Sequence, residues 1–169
     1  MFGDLEKARI IAYSAAFIGL ISLGAWVSIP FFPVPLTLQT LFVLLAGAVM
    51  KRYAVIPVSL YVLLGALGLP VYHTGVTGIG ILLGPTGGYL IGFIFAALAA
   101  GIAYEHKSET IRIIGLVAGT IIIYLFGIAW LMYSLALGFV PAVISGMLPF
   151  IPGDAIKLYA TYRIAQQLT

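Results

Sequence analysis

The sequence predicts an all-α, polytopic membrane protein: six transmembrane helices in one domain over residues 1–169, both termini cytoplasmic, and irregular outer loops. The prediction rests on composition, on the spacing of the charges and on the positions of proline and glycine. Of the 169 residues, 63% are apolar and 8% are charged, and the mean hydropathy is +1.19. A soluble domain is about 45–50% apolar and about 25% charged. The composition therefore excludes a water-soluble enzyme.

Charged residues are absent from three long intervals, 10–50, 53–104 and 113–153. One membrane-spanning helix needs roughly 20 apolar residues, so each interval holds two spans and their connection. The expected helices are 7–29, 36–50, 53–69, 87–104, 111–137 and 142–166. The second, at about 15 residues, is short for a span and requires a locally thin bilayer or help from its proline-rich start.

The basic residues fix the predicted orientation, because lysine and arginine concentrate in cytoplasmic loops. They recur after every second span, as Lys7 and Arg9, Lys51 and Arg52, Lys107 and Arg112, and Arg163. This pattern predicts a multi-pass protein of the cell (cytoplasmic) membrane with both termini inside. Their scatter between spans, despite a net charge of +3, argues against nucleic acid as a partner. The mixed charge of residues 1–9 and the long apolar segment after them predict that the first helix is retained.

Several chemistries are excluded by missing residue types. The chain has no cysteine, which removes disulfides, thiolate metal sites and thiol catalysis. His73 and His106 lie far apart without metal-ligand spacing, so no metal site is expected. The glycine-rich segment 84–89 lacks the lysine and following serine or threonine of a phosphate-binding loop. We therefore expect no bound cofactor and no ATP hydrolysis by this chain.

Three segments cannot continue a helix, because proline lacks a backbone donor and restricts the residue before it. They are 29–35, 68–88 and 148–153, each rich in proline or glycine. The predicted topology places all three in the outer part of the bundle. Irregular backbone at membrane depth has to be buried in protein or to face a watery cavity. Their convergence predicts a cavity on the outer side.

Asp154 and Lys157 are the one ionisable pair within the apolar spans, and their i,i+3 spacing puts them on one helix face. A charge at the bilayer centre costs roughly 2.5–3.5 kcal/mol on insertion scales, and such residues usually line pathways or pockets. The pair therefore favours a polar ligand site at the start of a half-helix. Two structural alternatives stand beside it: Asp154 caps the helix that restarts after Pro152 and Gly153, or Lys157 extends toward the headgroups.

Other polar residues have two interpretations each. Thr86 and Tyr89 supply hydroxyl groups to a ligand, or the segment 84–89 is only a tight start to a helix. Thr37, Gln39 and Thr40 begin the second helix, where such side chains line a ligand site or hydrogen-bond one helix to another.

Ala8, Ala12 and Ala16 repeat every four residues on the first helix. Stripes of small residues let helices approach closely in lipid. The spacing fits a partner interface and packing within the chain equally well.

Four motifs together resemble the BioY family, the biotin-specific substrate-binding (S) subunits of energy-coupling-factor (ECF) transporters. They are PVPLTLQT at 33–40, GLPVY at 68–72, LGPTGGYL at 83–90 and LPFIPGDAIK at 148–157. The resemblance covers nearly the whole chain. It implies a six-helix subunit that captures biotin in an outward-facing cavity, with Asp154 and Lys157 contacting the ligand. It also implies that the stripe on the first helix docks a transmembrane coupling subunit that joins two cytoplasmic ATPases.

Three alternatives to a biotin subunit follow from the same residues. An S component for another vitamin, of the lipoate, riboflavin or thiamine type, would share the architecture and differ in the pocket. A non-transport assembly subunit of the membrane would tolerate loss of both charges. An intramembrane enzyme would need a nucleophile and base or a metal cluster, and only Asp154 and Lys157 approach such an arrangement.

Overall fold

The computed structural model describes residues 2–168, and within that range the chain is mostly helical. The helices are α1 (Phe2–Trp26), α2 (Gln39–Met50), α3 (Val55–Ala66), α4 (Ile79–Leu83), α5 (Gly87–Tyr104), α6 (Glu109–Ser134), α7 (Phe139–Gly146) and α8 (Ile151–Leu168). Short 3₁₀ turns lie at Lys51–Ala54 and His73–Gly75. Strands β1 (Ser28–Ile29) and β2 (Leu36–Thr37) pair antiparallel, with Ser28 opposite Thr37.

The long helices run alternately up and down, so their ends gather at two ends of a bundle. At one end, the Leu38 amide donates to the Gly24 carbonyl at 3.0 Å, and α8 begins beside the start of α2. We call it the site end. At the other end, Arg52 after α2 pairs with Glu105 after α5 at 2.6 Å, and Tyr162 of α8 donates to Glu109 of α6. We call it the charged end.

Four apolar stretches are long enough to cross a membrane, and a bent pair of helices forms a possible fifth span. The four are Asp4–Trp26, Gln39–Ala66, Gly87–Tyr104 and Glu109–Ser134, and the pair is α7 with α8, bent by 54°. The second stretch folds back on itself at Lys51–Ala54. The evidence is a hydrogen bond between its two halves, in which Nε2 of Gln39 donates to Oη of Tyr61 at 2.5 Å. A straight helix would separate these residues by about 33 Å.

The predicted helices agree with the observed ones to within a few residues, with one exception. The segment 87–104 matches α5 at both ends. The first helix ends at Trp26, before the predicted residue 29, because residues 28–29 pair with residues 36–37 in a ribbon that was not predicted. The predicted sixth helix, 142–166, is interrupted at the segment 148–153, as its prolines predicted, but the break is earlier and shorter than that segment. It is α7 and α8, separated by a break at 147–150.

The cause of the break is Pro149, whose nitrogen cannot donate to the preceding turn. Pro152 does not interrupt α8, because it lies in the first turn, where the backbone amide has no partner within the helix.

Close packing of α5 on α6 forms the centre of the bundle. A Cβ on Gly88 would lie 2.2 Å from Cβ of Trp130, and one on Gly115 would lie 2.1 Å from Cβ of Ala103. Glycine at both positions lets the two helices approach along their length, the usual way of packing helices in lipid. This approach brings the buried Tyr124 of α6 to the side of the bundle where α8 begins.

Candidate ligand-binding site

A small cavity lies at the site end, and we call it the pocket. Its volume is about 50 Å³. Its lining comes from the loop before α2 and from α2, α5, α6, α8 and the connection after α3. The lining residues are Val34, Pro35, Thr37, Gln39, Thr40, Tyr72, His73, Thr86, Tyr89, Leu90, Phe93, Ile123, Tyr124, Phe150, Asp154 and Lys157. All five residues predicted for a ligand site, Asp154, Lys157, Thr86, Tyr89 and Gln39, are among them.

Asp154 lies in the first turn of α8 and is only 8% exposed. Its carboxylate accepts hydrogen bonds from Nζ of Lys157 at 2.6 Å, from Oγ1 of Thr40 at 3.2 Å and from Oη of Tyr124. Its own backbone amide donates to the Phe150 carbonyl at 2.8 Å. Asp154 is therefore inside the helix with its side chain turned to neighbouring elements, and the capping alternative is wrong.

Lys157 lies one turn further along α8, with 13% of its side chain exposed. Its ammonium donates to Oδ1 of Asp154 at 2.6 Å, to the Thr37 carbonyl at 2.7 Å and to Oγ1 of Thr40 at 3.1 Å. An ammonium has three donors, so each has an acceptor within the protein. The side chain points into the bundle, which rules out the alternative that it extends to the headgroups.

Gln39 both lines the pocket and holds its wall together. Its amide oxygen accepts from Oγ1 of Thr37 at 3.1 Å, and its amide nitrogen donates to Oη of Tyr61. Tyr61 in turn donates to the Val71 carbonyl at 3.1 Å. This chain of hydrogen bonds ties the start of α2 to the segment after α3. Gln39 therefore bonds α2 to α3, as the second interpretation requires, and contact of Gln39 with a ligand stays a prediction.

Tyr89 and Thr86 stand on the α5 side of the pocket. The Tyr89 hydroxyl is buried and donates to the Gly146 carbonyl at the end of α7, at 2.8 Å. Its ring is fitted against Gly127, where a Cβ would lie 2.2 Å from Cε1 of the ring. The Thr86 hydroxyl donates to the Ile81 carbonyl at 3.4 Å. Tyr89 therefore connects α5, α6 and α7 at the pocket wall.

The connection between α3 and α5, residues 67–86, forms the roof of the pocket, and we call it the cover loop. Three of its glycines have positive φ, including Gly78 at 96°. Each end of the loop is anchored by an indole: Nε1 of Trp26 donates to the Pro70 carbonyl at 3.2 Å, and Nε1 of Trp130 donates to the Gly84 carbonyl at 2.9 Å. Burial lowers the pKa of His73 in this loop, so its imidazole is neutral at pH 7.

Sequence reasoning did not single out Tyr124, His73, Phe93 or Phe150 as site residues. Tyr124 is the most consequential of them, because it donates to the Asp154 carboxylate. An aromatic residue in an apolar helix is common, and no local pattern distinguishes one that faces a carboxylate thirty residues away. Its position follows only from the packing of α5, α6 and α8.

The stripe on α1, residues Ala8, Ala12 and Ala16, lies on the exposed surface. Gly19 continues it, and a Cβ there would meet no atom within 4 Å. Within the described residues, packing inside the chain therefore does not explain the stripe.

The fold and the pocket are those of a membrane-embedded substrate-binding component. The structure superposes, with a TM-score of 0.88 and 30% identity, on the crystal structure at 2.1 Å of "the S-component for biotin from an ECF-type ABC transporter". The match covers 96% of this chain and 92% of that one.

The chain belongs to the BioY family, whose model matches residues 3–169. It is 42% identical over 162 residues to the biotin transporter BioY of Thermotoga maritima, with 95% of each chain covered. It is 40% identical over 163 residues to the probable biotin transporter BioY of Pyrococcus horikoshii, covering 96% of this chain and 97% of the relative. The predicted family and the prediction of a non-enzyme are confirmed.

Proposed function

We propose that this chain binds biotin in the pocket and serves as the S component of an ECF transporter in the cell membrane. The observation that carries the proposal is the buried Asp154–Lys157 pair, which lines a pocket in a fold shared with a biotin S-component. Relatives named as biotin transporters match almost the full length of the chain.

The hydrogen-bond inventory of the pair suits a ureido ring. The carboxylate of Asp154 has about four lone-pair sites, and three donors from the protein already use three of them. The remaining site on Oδ2 accepts one ureido N–H. Lys157 exchanges one of its internal acceptors, such as Oγ1 of Thr40, for the ureido oxygen or the carboxylate of biotin. These charge-assisted bonds give selectivity, because an analogue without the ureido group leaves buried polar atoms unpaired.

The apolar part of biotin packs against the remaining walls. Phe93, Ile123 and Phe150 line the pocket together with Leu90 and the Tyr89 ring. Burying the bicyclic ring and the alkyl chain here contributes roughly 25 cal/mol per Å² of apolar surface. The polar pair sets orientation and the apolar walls supply most of the affinity.

Binding requires the pocket to widen. A cavity of about 50 Å³ holds a few water molecules, whereas sites for ligands of drug size occupy roughly 300–1,000 Å³. In this proposal the cover loop is the wall that moves. It is held to the bundle by the two indoles, by Tyr61 at the Val71 carbonyl and by Tyr72 at the Val62 carbonyl, and some of these bonds yield as the loop opens. Biotin therefore enters from the site end while the loop is displaced.

The membrane topology in this proposal has six spans, with both termini and the charged end in the cytoplasm. The folded-back stretch Gln39–Ala66 and the bent α7–α8 pair support six crossings. Arg52 and Arg112 lie at the charged end, as the positive-inside tendency requires. The site end then faces the external medium.

Energy for uptake comes from partner proteins. The exposed stripe of Ala8, Ala12 and Ala16 is the surface for a transmembrane coupling subunit, which joins two cytoplasmic ATPases. We expect Ala12→Trp to abolish co-purification with the coupling subunit and to leave biotin binding unchanged. Leu23→Trp, at another exposed position on α1, is the matched control.

Calorimetric titration of the purified chain with biotin, lipoate, riboflavin and thiamine tests the ligand assignment. The proposal requires saturable binding of biotin with one site and no measurable heat with the other three. Tight binding of a different vitamin would assign the pocket to that compound. Uptake of labelled biotin that persists in full after deletion of the ATPase subunits would refute the ECF assignment.

A further inference from the structure

A second cavity lies at the charged end, between α1 and the turn that joins α2 to α3. Its volume is about 280 Å³, larger than that of the pocket. The lining residues are Glu6, Arg9, Ile10, Tyr13, Val49, Met50, Lys51 and Tyr53. It shares no residue with the pocket, and the proposed function makes no use of it.

The rim of this cavity carries two cations and one carboxylate, a net charge of +1. Among the side chains described, 4–168, neither Arg9 nor Lys51 lies at ion-pair distance from a carboxylate. The guanidinium of Arg9 instead sits over the Tyr13 ring, 5.3 Å from its centroid. The neighbouring Arg52 is different, because two hydrogen bonds of 2.6 Å pair it with Glu105. Among the described side chains, the cavity therefore presents two cations without a direct ion pair, with Glu6 on the same rim and Glu105 close enough to Lys51 to interact with its charge.

The position of Lys51 is enforced by the fold. Its φ of 56° is uncommon for a residue with a side chain. The turn is held in place by α5, where a Cβ on Gly101 would lie 2.3 Å from the Lys51 carbonyl oxygen. Because the backbone is packed this closely, the lysine is fixed at the rim opposite α1.

Below the rim the lining is apolar. Ile10, Val49 and Met50 continue from the rim into the membrane-spanning stretches of α1 and α2. Tyr13 and Tyr53 flank them, as aromatic residues do at the interface between hydrocarbon and water. In the proposed topology the cavity therefore runs from headgroup depth into acyl-chain depth, with positive charge at the first and apolar side chains at the second.

We propose that this cavity binds an anionic phospholipid. The lipid phosphate lies between Arg9 and Lys51, and the upper part of one acyl chain lies on Ile10, Val49 and Met50. Basic pockets between transmembrane helices on the cytoplasmic side recognise anionic headgroups in this way. On α1 the cavity face is centred about 110° around the helix from the stripe of Ala8, Ala12 and Ala16. The two faces therefore have different centres, and Arg9, about 60° around the helix from Ala12, lies at the edge between them.

Native mass spectrometry of the purified full chain tests the proposal with two lipids of identical acyl chains, phosphatidylglycerol and phosphatidylcholine. We expect the first phosphatidylglycerol to bind at least fivefold more tightly than phosphatidylcholine. Arg9→Gln with Lys51→Gln should abolish this preference. Lys107→Gln with Arg163→Gln removes two cations from the same end outside the cavity and should keep it.

Glu6→Gln supplies a test in the opposite direction, because removing the carboxylate raises the positive charge of the rim. It should tighten phosphatidylglycerol binding severalfold. Equal binding of the two lipids by the parent chain would overturn the proposal, and so would equal losses in both double variants. Displacement of the lipid by millimolar inorganic phosphate would show a site for the free ion instead. Displacement by the coupling subunit would show a protein interface. None of these outcomes depends on whether the pocket binds biotin.

Discussion

Removing one charge of the Asp154–Lys157 pair separates its contribution to stability from its contribution to binding. Asp154→Asn leaves the Lys157 ammonium, 13% exposed, without its counter-ion. Lys157→Met likewise leaves the buried Asp154 carboxylate without a counter-ion. The double variant removes both charges and keeps the shape of the site. The three variants and the parent chain form a thermodynamic cycle.

The magnitude follows from the geometry of the pair. At the observed separation of 2.6 Å, the gross Coulomb attraction is about 6 kcal/mol with an effective dielectric constant of 20. Desolvation of both ions offsets much of it, and breaking a buried pair typically costs about 3–5 kcal/mol. In Asp154→Asn, Lys157 keeps the Thr37 carbonyl and Oγ1 of Thr40 as acceptors. In Lys157→Met, the Asp154 carboxylate keeps the hydroxyl groups of Thr40 and Tyr124 as donors. We therefore expect the free energy of unfolding of each single variant to fall by about 3 kcal/mol, at the lower end of that range.

The free energy of unfolding of the double variant should lie within about 1 kcal/mol of that of the parent, because a buried ion pair can often be replaced by neutral residues at little cost. Denaturant unfolding in one detergent, followed by helical circular dichroism, gives the four free energies of unfolding. Calorimetry with biotin on the same samples should show binding lost in all three variants, including the stable double variant.

Two results would refute this reasoning. Additive losses of stability in the double variant would mean that the two charges do not stabilise each other. Biotin affinity equal to that of the parent in the stable double variant would mean that the pair does not contact the ligand.

Three further predictions concern the walls of the pocket. Gly127→Ala should lower the free energy of unfolding by about 1–3 kcal/mol through overpacking, because the new Cβ meets the Tyr89 ring. Gly19→Ala, with open space around it, is the control and should not destabilise the protein. Equal losses of stability in both variants would argue against a ring fitted to Gly127. Amide hydrogen exchange in the cover loop should slow severalfold on addition of biotin, while residues 105–108 at the opposite end stay unchanged; a uniform response would contradict the loop movement. Because burial lowers the pKa of His73, the unfolded chain binds the proton more readily, so stability should fall as the pH drops below about 6.5. His73→Gln should flatten that pH dependence in thermal unfolding, and a slope unchanged by the substitution would exclude His73 as its source.

The sequence was informative wherever a feature is local. The limits of α5 could be predicted because glycine and proline precede it and charges follow it. The Asp154–Lys157 pair could be found because charges are rare in apolar spans and each is costly there. Pro149 indicated the break before α8. It did not indicate that α7 is a separate helix with its own direction.

Features that depend on distant packing could not be predicted. Tyr124 donates to Asp154 across thirty residues, and nothing in its neighbours marks it. The pairing of β1 with β2 depends on two residues in each strand, too short for an alternating pattern. The cavity at the charged end requires α1 to lie beside the Lys51 turn, a placement set by tertiary contacts rather than by the spacing of charges.

The indole anchors of the cover loop give the chain a built-in optical reporter. The chain contains two tryptophans, Trp26 and Trp130, and each donates to a backbone carbonyl near one end of the loop. A displacement that reaches Pro70 or Gly84 stretches or breaks one of these bonds and changes the polarity around an indole. The emission spectrum of the unmodified protein thus follows the opening and closing of the roof in real time, without a dye or an introduced residue.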